Sequence, residues 1–318
     1  FCNKLWNASR FALMNLEGYA PADVGDAELL IGDRWILSRL ATVTDQVTEA
    51  LAGFRYADAA RALYGFAWDE FCSFYVEMVK GRLQDPATRP VAQRVLAHTL
   101  DVLVRLLHPM IPFLTEEVWQ RLGDVAPRRG IPTAQPAAES IMIAPWPEAD
   151  AARRDERIEA QFGLFQEVLR AVREIRSRQN VPPKTRIEFS VRCDAETAGL
   201  LRPMERHFES MAGARPTGWG ADVEPPALSA NVVLPGMEIF VDLAELIDVA
   251  AEIKKKRDEL EKLDGFVVAK RTKLENESFT SRAPAAVIEK EREGLAELEE
   301  KRAATAATLD SLMKLQKA

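Results

Sequence analysis

The chain has 318 residues, a formal net charge of -7, 47% apolar residues and 29% charged residues. This length predicts about two domains, at roughly 150 residues each, and the composition is that of a soluble globular protein. The sequence has no run of ~18 apolar residues long enough to span a bilayer. Cys2, Cys72 and Cys193 lie far apart, which excludes a disulfide-rich scaffold or a paired-cysteine zinc module and points to a reducing, cytoplasmic setting. The acidic balance argues weakly against a globally basic nucleic-acid binder. The sequence opens at Phe1 in mid-helix, as expected of a fragment without its N-terminal part.

The first 122 residues read as helices. Phe1, Leu5, Ala8, Ala12 and Leu16 form a stripe at helical spacing, with Asn3, Asn7 and Arg10 on a different side. A loop with several glycines spans residues 19–33, and Asp33 is the expected N-cap of a helix over 34–53 whose stripe is Ile36, Leu40, Val43, Val47 and Ala50. A densely aromatic helix follows over 56–82, then one over 88–107. Pro109 and Pro112 end the latter, and Thr115 is the expected cap of a short helix from Glu116 to Leu122. Short connections between such helices make an antiparallel bundle. Residues 123–147 hold five prolines and read as a surface connection ending in an extended piece, Ile141 to Ala144.

A helix over 151–179 leads into a small α/β module. It consists of an alternating strand over 186–192, a helix over 195–212, a Gly/Pro-rich loop, and a hairpin of 231–234 and 237–241 around Pro235-Gly236. Beyond Ala244 the pattern becomes heptads. Ile253, Lys256, Leu260, Leu263, Val267, Lys270 and Leu274 form one series with Leu246 and Val249, and Ile288, Glu291, Leu295, Leu298, Arg302, Thr305 and Leu309 form another with Leu312 and Gln316. Folding back at 276–284 sets Leu274 against Ile288, Lys270 against Glu291, Val267 against Leu295, Leu263 against Leu298 and Ile253 against Leu309. A Lys–Glu pair in the seam is the kind of polar contact that fixes register. The fold class is therefore mainly α: an antiparallel helix bundle with its connecting segment (1–147), a small α/β junction module (148–242) and an antiparallel two-helix coiled coil (243–318). Each arm helix, at about 30 residues, would be roughly 45 Å long.

Catalytic machinery is absent from the pattern: there is no Gly-rich phosphate loop, no nucleophile elbow and no histidine pair at metal-ligand spacing. His98, His108 and His207 sit alone on predicted helices, the Glu116–Glu117 pair fits a helix N-terminus, and the cysteines read as small buried apolar residues. Trp35 lies beside its helix stripe with Arg39, Thr42 and Gln46, so it suits either stacking on an unpaired base or covering the bundle edge. Asn3, Asn7 and Arg10 suit reading base edges and phosphates, or are a solvated face. From Arg153 to Arg186 there are nine Lys/Arg against five Asp/Glu, with Arg170, Arg173 and Arg176 on one broad side, so the acidic total conceals a positive segment.

Phe1-Cys2-Asn3-Lys4-Leu5-Trp6-Asn7-Ala8-Ser9-Arg10-Phe11, Ala67-Trp68-Asp69-Glu70-Phe71-Cys72 and Leu107-His108-Pro109-Met110-Ile111-Pro112-Phe113 through Trp119 resemble the anticodon-binding region of the valyl-tRNA synthetase family. Ala144-Pro145-Trp146-Pro147, Val172 to Arg176 and Val181-Pro182-Pro183 extend the resemblance along the whole chain. The first and third motifs are shared in part with isoleucyl- and leucyl-tRNA synthetases. The hairpin arm, together with the lack of a C-terminal cysteine set for zinc, points to the valine family.

The resemblance implies a class I valine–tRNA ligase whose catalytic and editing domains, with ATP and Mg, lie in a front portion not contained here. This chain would have no catalytic residues and no cofactor of its own and would be inactive alone. Its partner would be tRNA (valine isoacceptors), with no membrane, as a cytoplasmic monomer. By similarity, Trp35 stands where the family stacks an aromatic on an anticodon base and Arg10 where it contacts the anticodon, while helical geometry adds Asn7 and Arg39. The family's arm holds the tRNA elbow through arginines, and Ala269 and Gly294 stand at those positions here. Lys270, Arg271, Lys273, Arg292 and, before the arm, Arg173 are the expected elbow and backbone contacts. Two other readings stay open: the same role in isoleucyl-tRNA synthetase, or a coiled-coil module that binds protein. The polar seam residues Lys256, Lys270, Glu291, Arg302 and Thr305 suit an intramolecular hairpin better than a dimeric zipper.

Overall fold

The computed structural model describes residues 1–226, 228–244, 249–276 and 284–315. They form two compact units, Phe1–Leu169 with Pro203–Ala212, and Arg170–Arg202 with Gly213–Ala318. The division differs from the expected boundary at 148, because Phe162 and Phe165 bury the first part of the long helix after the connection within the bundle.

In the first unit, α1 (Cys2–Asn15) buries Leu5, Ala8 and Ala12. Phe1 is 37% exposed and stands apart from that stripe. The next helix, α2 (Ile31–Ala52), is capped at Leu30, three residues before the expected cap Asp33. Asp33 is inside its first turn, where the carboxylate accepts from the Leu30 N–H and from Arg82 and Tyr75. The aromatic segment is α3 (Tyr56–Tyr64), a π-helical stretch Gly65–Tyr75, and α4 (Val76–Gln84). In the widened turn the Trp68 carbonyl accepts from Ser73 Oγ at 2.7 Å and Lys4 Nζ at 3.1 Å. Such π segments cost regular helical bonding and persist where side chains take up the freed groups.

Helix α5 (Arg89–Leu107) is the central element, with Val95, Leu96, Leu100, Leu103 and Val104 fully buried. Helix α6 (Pro112–Val125) begins at Pro112, whose missing N–H costs nothing at a first helical position. Thr115 is not its cap: the hydroxyl donates back to the Ile111 carbonyl inside the first turn. The connection contains an unexpected two-residue ladder, β1 (Arg128–Arg129) with β2 (Gln135–Pro136). Ile141–Ile143 is a 3-10 turn, not an extended piece, capped by Ser140 Oγ accepting from the Met142 N–H. Arg129 of β1 is buried and donates to Asp101 at 2.7 Å.

Helix α7 (Glu156–Arg178) follows a 3-10 turn at Ala151–Arg153. The expected helix 195–212 is broken at Pro203 into α8 (Ala195–Leu201) and α9 (Glu205–Ala212), since proline cannot continue the ladder. The sheet of the second unit is β3 (Ile187–Cys193), β4 (Ala214–Trp219), β5 (Ser229–Leu234) and β6 (Met237–Asp242), in the order β4-β3-β6-β5. β3 pairs parallel with β4 and antiparallel with β6, and β5 and β6 form the expected hairpin. β4 was hidden because it contains Pro216 and Gly218; as an edge strand with a register shift opposite Phe189/Ser190 it tolerates both.

The arm is α10 (Val249–Glu275) and α11 (Ala285–Leu315). Ile253, Leu263, Val267 and Thr305 are buried, and Lys270 donates to Glu291 at 2.7 Å, as the antiparallel register requires. Leu246, Gln316 and most of the turn lie outside the described residues, and nothing is described of the Val249 and Leu312 side chains. No described helix is long and apolar enough to cross a membrane.

Candidate nucleic-acid interface

Because Leu5, Ala8, Ala12 and Leu16 turn one side of α1 into the core, residues 3, 7 and 10 must face out. Asn3, Asn7 and Arg10 are all exposed, and none of them bonds to another part of the described protein. They form a row about 10 Å long at 1.5 Å per residue. Two amides that both donate and accept, followed by a five-donor guanidinium, suit base edges and phosphates. At the start of the same helix the rings of Phe1, Tyr64 and Trp68 follow one another at 5.3 and 5.6 Å, with Lys4 Nζ 4.0 Å from the Trp68 centroid.

Trp35 is placed differently from the sequence expectation. It is 2% exposed, and Phe162 of α7 stacks on it at 4.3 Å and 5°. As folded, the ring is a core contact and not an open platform for a base. Residues off the main stripe are engaged because α7 meets a second side of α2, with Phe162 on Trp35 and Glu159 on Ser38. Arg39 is likewise engaged inside the protein. Its Nε and Nη2 donate to Glu70 at 2.8 and 2.9 Å and its Nη1 to Glu159 at 2.8 Å. Burial alone would lower the guanidinium pKa, but the two carboxylates more than offset it and hold the value above normal. Ser38 and Thr42 also donate to Glu159, so the cluster is a satisfied structural network.

The arginine-rich helix divides similarly. Arg170 and Arg173 are exposed, whereas Arg176 is 8% exposed and clamps the following loop. Arg176 Nη1 donates to the Thr185 carbonyl and Nη2 to the Pro182 carbonyl, each at 2.9 Å. The thiols are not uniformly buried as expected: Cys2 is exposed and Cys72 half-buried. Burial pushes the Cys72 thiol up to about 11, which keeps it protonated and unreactive.

On the arm, Glu291 accepts from both Lys270 and Lys273 at 2.7 Å, and these bonds hold its carboxyl down at about 2 against the opposing effect of burial. Arg271 pairs with Glu299 and Arg302 with Asp264, while Arg292 is 3.8 Å from Glu289 with its side chain 68% exposed. The expected contacts Lys270, Arg271 and Lys273 thus bridge the two helices as well as carrying positive charge at the surface. Phe266 of α10 is 60% exposed between the buried seam residues Leu263 and Val267.

The model of the anticodon-binding domain of tRNA ligase matches residues 33–191. The model of the valyl tRNA synthetase tRNA binding arm matches residues 248–313. The chain is 47% identical over 318 residues to a protein of Rhodopirellula baltica named valine--tRNA ligase, covering 99% of this chain and 30% of that protein. Proteins of the same name from Geobacter sulfurreducens and Syntrophotalea carbinolica are 42% and 40% identical, each over 99% of this chain and 35% of their own length. The chain thus spans about a third of the length of the curated relatives it matches. With a bundle matching the one model and a helical hairpin matching the other, the chain belongs to the valyl-tRNA synthetase family, of which it contains the anticodon-binding region and the tRNA-binding arm.

Proposed function

We propose that this chain is the tRNA-holding part of a valine–tRNA ligase, in which the bundle reads the anticodon of valine tRNA and the arm holds the elbow. The observation that carries the reading is the match of both tRNA-binding models, in order, on one chain. Arg10 and Asn7 are exposed and open to RNA at the bundle, and the lysines and arginines of the arm are suited to phosphates. Phosphate contacts position an RNA and base contacts specify it. Binding energy gathered here orients the acceptor end toward a catalytic domain that supplies ATP, Mg and the amino-acid chemistry. The whole protein would act as a cytoplasmic monomer that discriminates valine isoacceptors, with amino-acid selection made outside this chain.

The test is a fluorescence-anisotropy titration of the chain with valine tRNA, isoleucine tRNA and a valine tRNA carrying a changed anticodon, at two salt concentrations. Preference for valine tRNA that is lost with the anticodon supports the reading. Equal, steeply salt-dependent binding of all three would reduce the chain to a nonspecific clamp. Absence of binding would favour a protein-interaction module.

A further inference from the structure

Lys4 lies in the first turn of α1, where a positive charge opposes the helix dipole, and that turn has neither a side-chain cap nor an acidic residue. The charge is satisfied across the bundle instead. Its Nζ donates to Ser73 Oγ at 2.7 Å and to the Trp68 carbonyl at 3.1 Å, and stands 4.0 Å from the centroid of the Trp68 ring. Both acceptors belong to the π-helical stretch Gly65–Tyr75, and Ser73 Oγ donates in turn to the same carbonyl at 2.7 Å. A widened turn frees a carbonyl that a regular helix would use, and Lys4, half-buried, takes this one up.

At its other end α1 is held by Gln93, whose Nε2 donates to the Asn15 carbonyl at 2.8 Å. Between these two ties Leu5, Ala8 and Ala12 pack into the core. Hydrophobic contact has no direction, so it presses α1 onto the bundle without fixing its roll. Hydrogen bonds to placed acceptors do fix it. The roll of α1 decides where the exposed row points, because Asn3 adjoins Lys4, and Asn7 and Arg10 follow it on the same helix. We propose that Lys4 is a positioning residue for anticodon recognition: latched into the π segment, it sets the direction in which Asn3, Asn7 and Arg10 present their donors and acceptors, and does not itself touch RNA. This rests on the anticodon-reading function proposed above and assigns part of its specificity to a contact inside the protein.

The test uses the full 318-residue chain and compares its affinities for valine tRNA and for the same RNA with a changed anticodon, at two salt concentrations. Lys4→Met should lower the ratio of the two affinities about fivefold, the low end for one misaligned base contact, with the salt slope unchanged. Ser73→Ala removes an acceptor of the latch without altering α1 and should lower the ratio in the same direction. The double variant should lose no more than Lys4→Met alone, since both substitutions open one latch. Release of the π segment should also speed the reaction of Cys72 with a disulfide reagent in Lys4→Met, followed in its own peptide by mass spectrometry. Equal loss for both RNAs with a shallower salt slope in Lys4→Met would make Lys4 a phosphate contact and overturn the proposal. An unchanged ratio in Lys4→Met, or in Ser73→Ala while Cys72 reacts faster, would leave the latch a matter of stability alone and overturn it equally. If the wild-type chain shows no preference between the two RNAs, anticodon reading fails first, so the two failures are distinguishable.

Discussion

Trp35 and Phe162 stack face to face, their ring centroids 4.3 Å apart and their planes 5° from parallel. The contact joins α2 to the first part of α7, and Phe165 continues it edge-on to Phe162 at 6.0 Å. Offset and edge-on aromatic pairs contribute about 0.5–1.5 kcal/mol beyond the area they bury. Trp35→Ala should therefore behave as a core truncation, lowering stability by about 3–5 kcal/mol. Urea denaturation of Trp35→Ala, Phe162→Ala and the double variant checks this. The double variant should lose less than the sum of the single ones, since the second truncation removes a partner already gone. A Trp35→Ala chain of wild-type stability would mean the ring is not held as described.

Arg10 makes the opposite prediction. It is exposed and bonds to no described group, so Arg10→Ala should leave the urea midpoint within about 0.5 kcal/mol of wild type. Its effect should appear in RNA binding. A guanidinium reading a base edge accounts for about 1–3 kcal/mol of discrimination, so the preference for the valine anticodon should fall by about fivefold to a hundredfold. The measurement is the ratio of affinities for cognate and anticodon-changed tRNA, set beside the melting curve of the same variant. Equal loss for both RNAs would reassign Arg10 to phosphate contact.

The contrast between these residues shows what the sequence made legible. Periodicity located α1 and the heptad arm, because each buries one stripe and leaves its other sides wet. The Lys270–Glu291 pair follows from the register alone. For Trp35 periodicity left base stacking and covering the bundle edge both open, and the structure engages Trp35 and Arg39 inside the protein because Phe162 and Glu159 of α7 meet a second side of α2. Periodicity missed β4, whose Pro216 and Gly218 are tolerated only at a sheet edge that the local sequence does not reveal. The exposed row Asn3, Asn7 and Arg10 was visible as polarity, but identical polarity on α2 turned out to be an internal ion-pair network.

Asp33 is wholly buried and accepts from Arg82 through both oxygens, at 2.5 and 2.6 Å, in a site shared with Tyr75. Removing one partner of such a pair leaves the other charge uncompensated, which costs about 3–5 kcal/mol. Asp33→Ala should therefore destabilise the chain by that amount. Asp33→Ala combined with Arg82→Met should recover most of the loss, since the stranded charge is gone. Thermal denaturation of the two variants decides the point, and a double variant no more stable than the single one would refute it.

His207 is 7% exposed and packs edge-on against Phe165. Burial first, then the charges of Arg206 and Arg82, lower its pKa from 6.5 to about 4. Between those values the unfolded chain binds a proton that the folded chain refuses. The contribution to stability is present above about pH 6.5 and is lost as pH falls through about 4, amounting to a few kcal/mol at about 1.4 kcal/mol per unit. With only three histidines in the chain, proton NMR can follow each ring, assigned by its loss in His207→Gln. A His207 resonance titrating near 6.5 would contradict the burial.

Glu291 carries the corresponding prediction for the arm. Hydrogen bonds from Lys270 and Lys273 lower its carboxyl from 4.5 to about 2. A depressed carboxyl gives stability that is present above the unfolded value, near 4.5, and lost as pH falls through about 2. The pair is at the surface, so salt should weaken it as acid does. Glu291→Gln keeps the shape and removes the charge, and the advantage of wild type over this variant should therefore shrink between pH 4.5 and 2 and with added salt. The readout is the difference between the two melting curves of the helical signal across that range. A difference independent of both pH and salt would mean that the lysines do not hold Glu291 in its ionised form, and the seam pair would then contribute through packing alone.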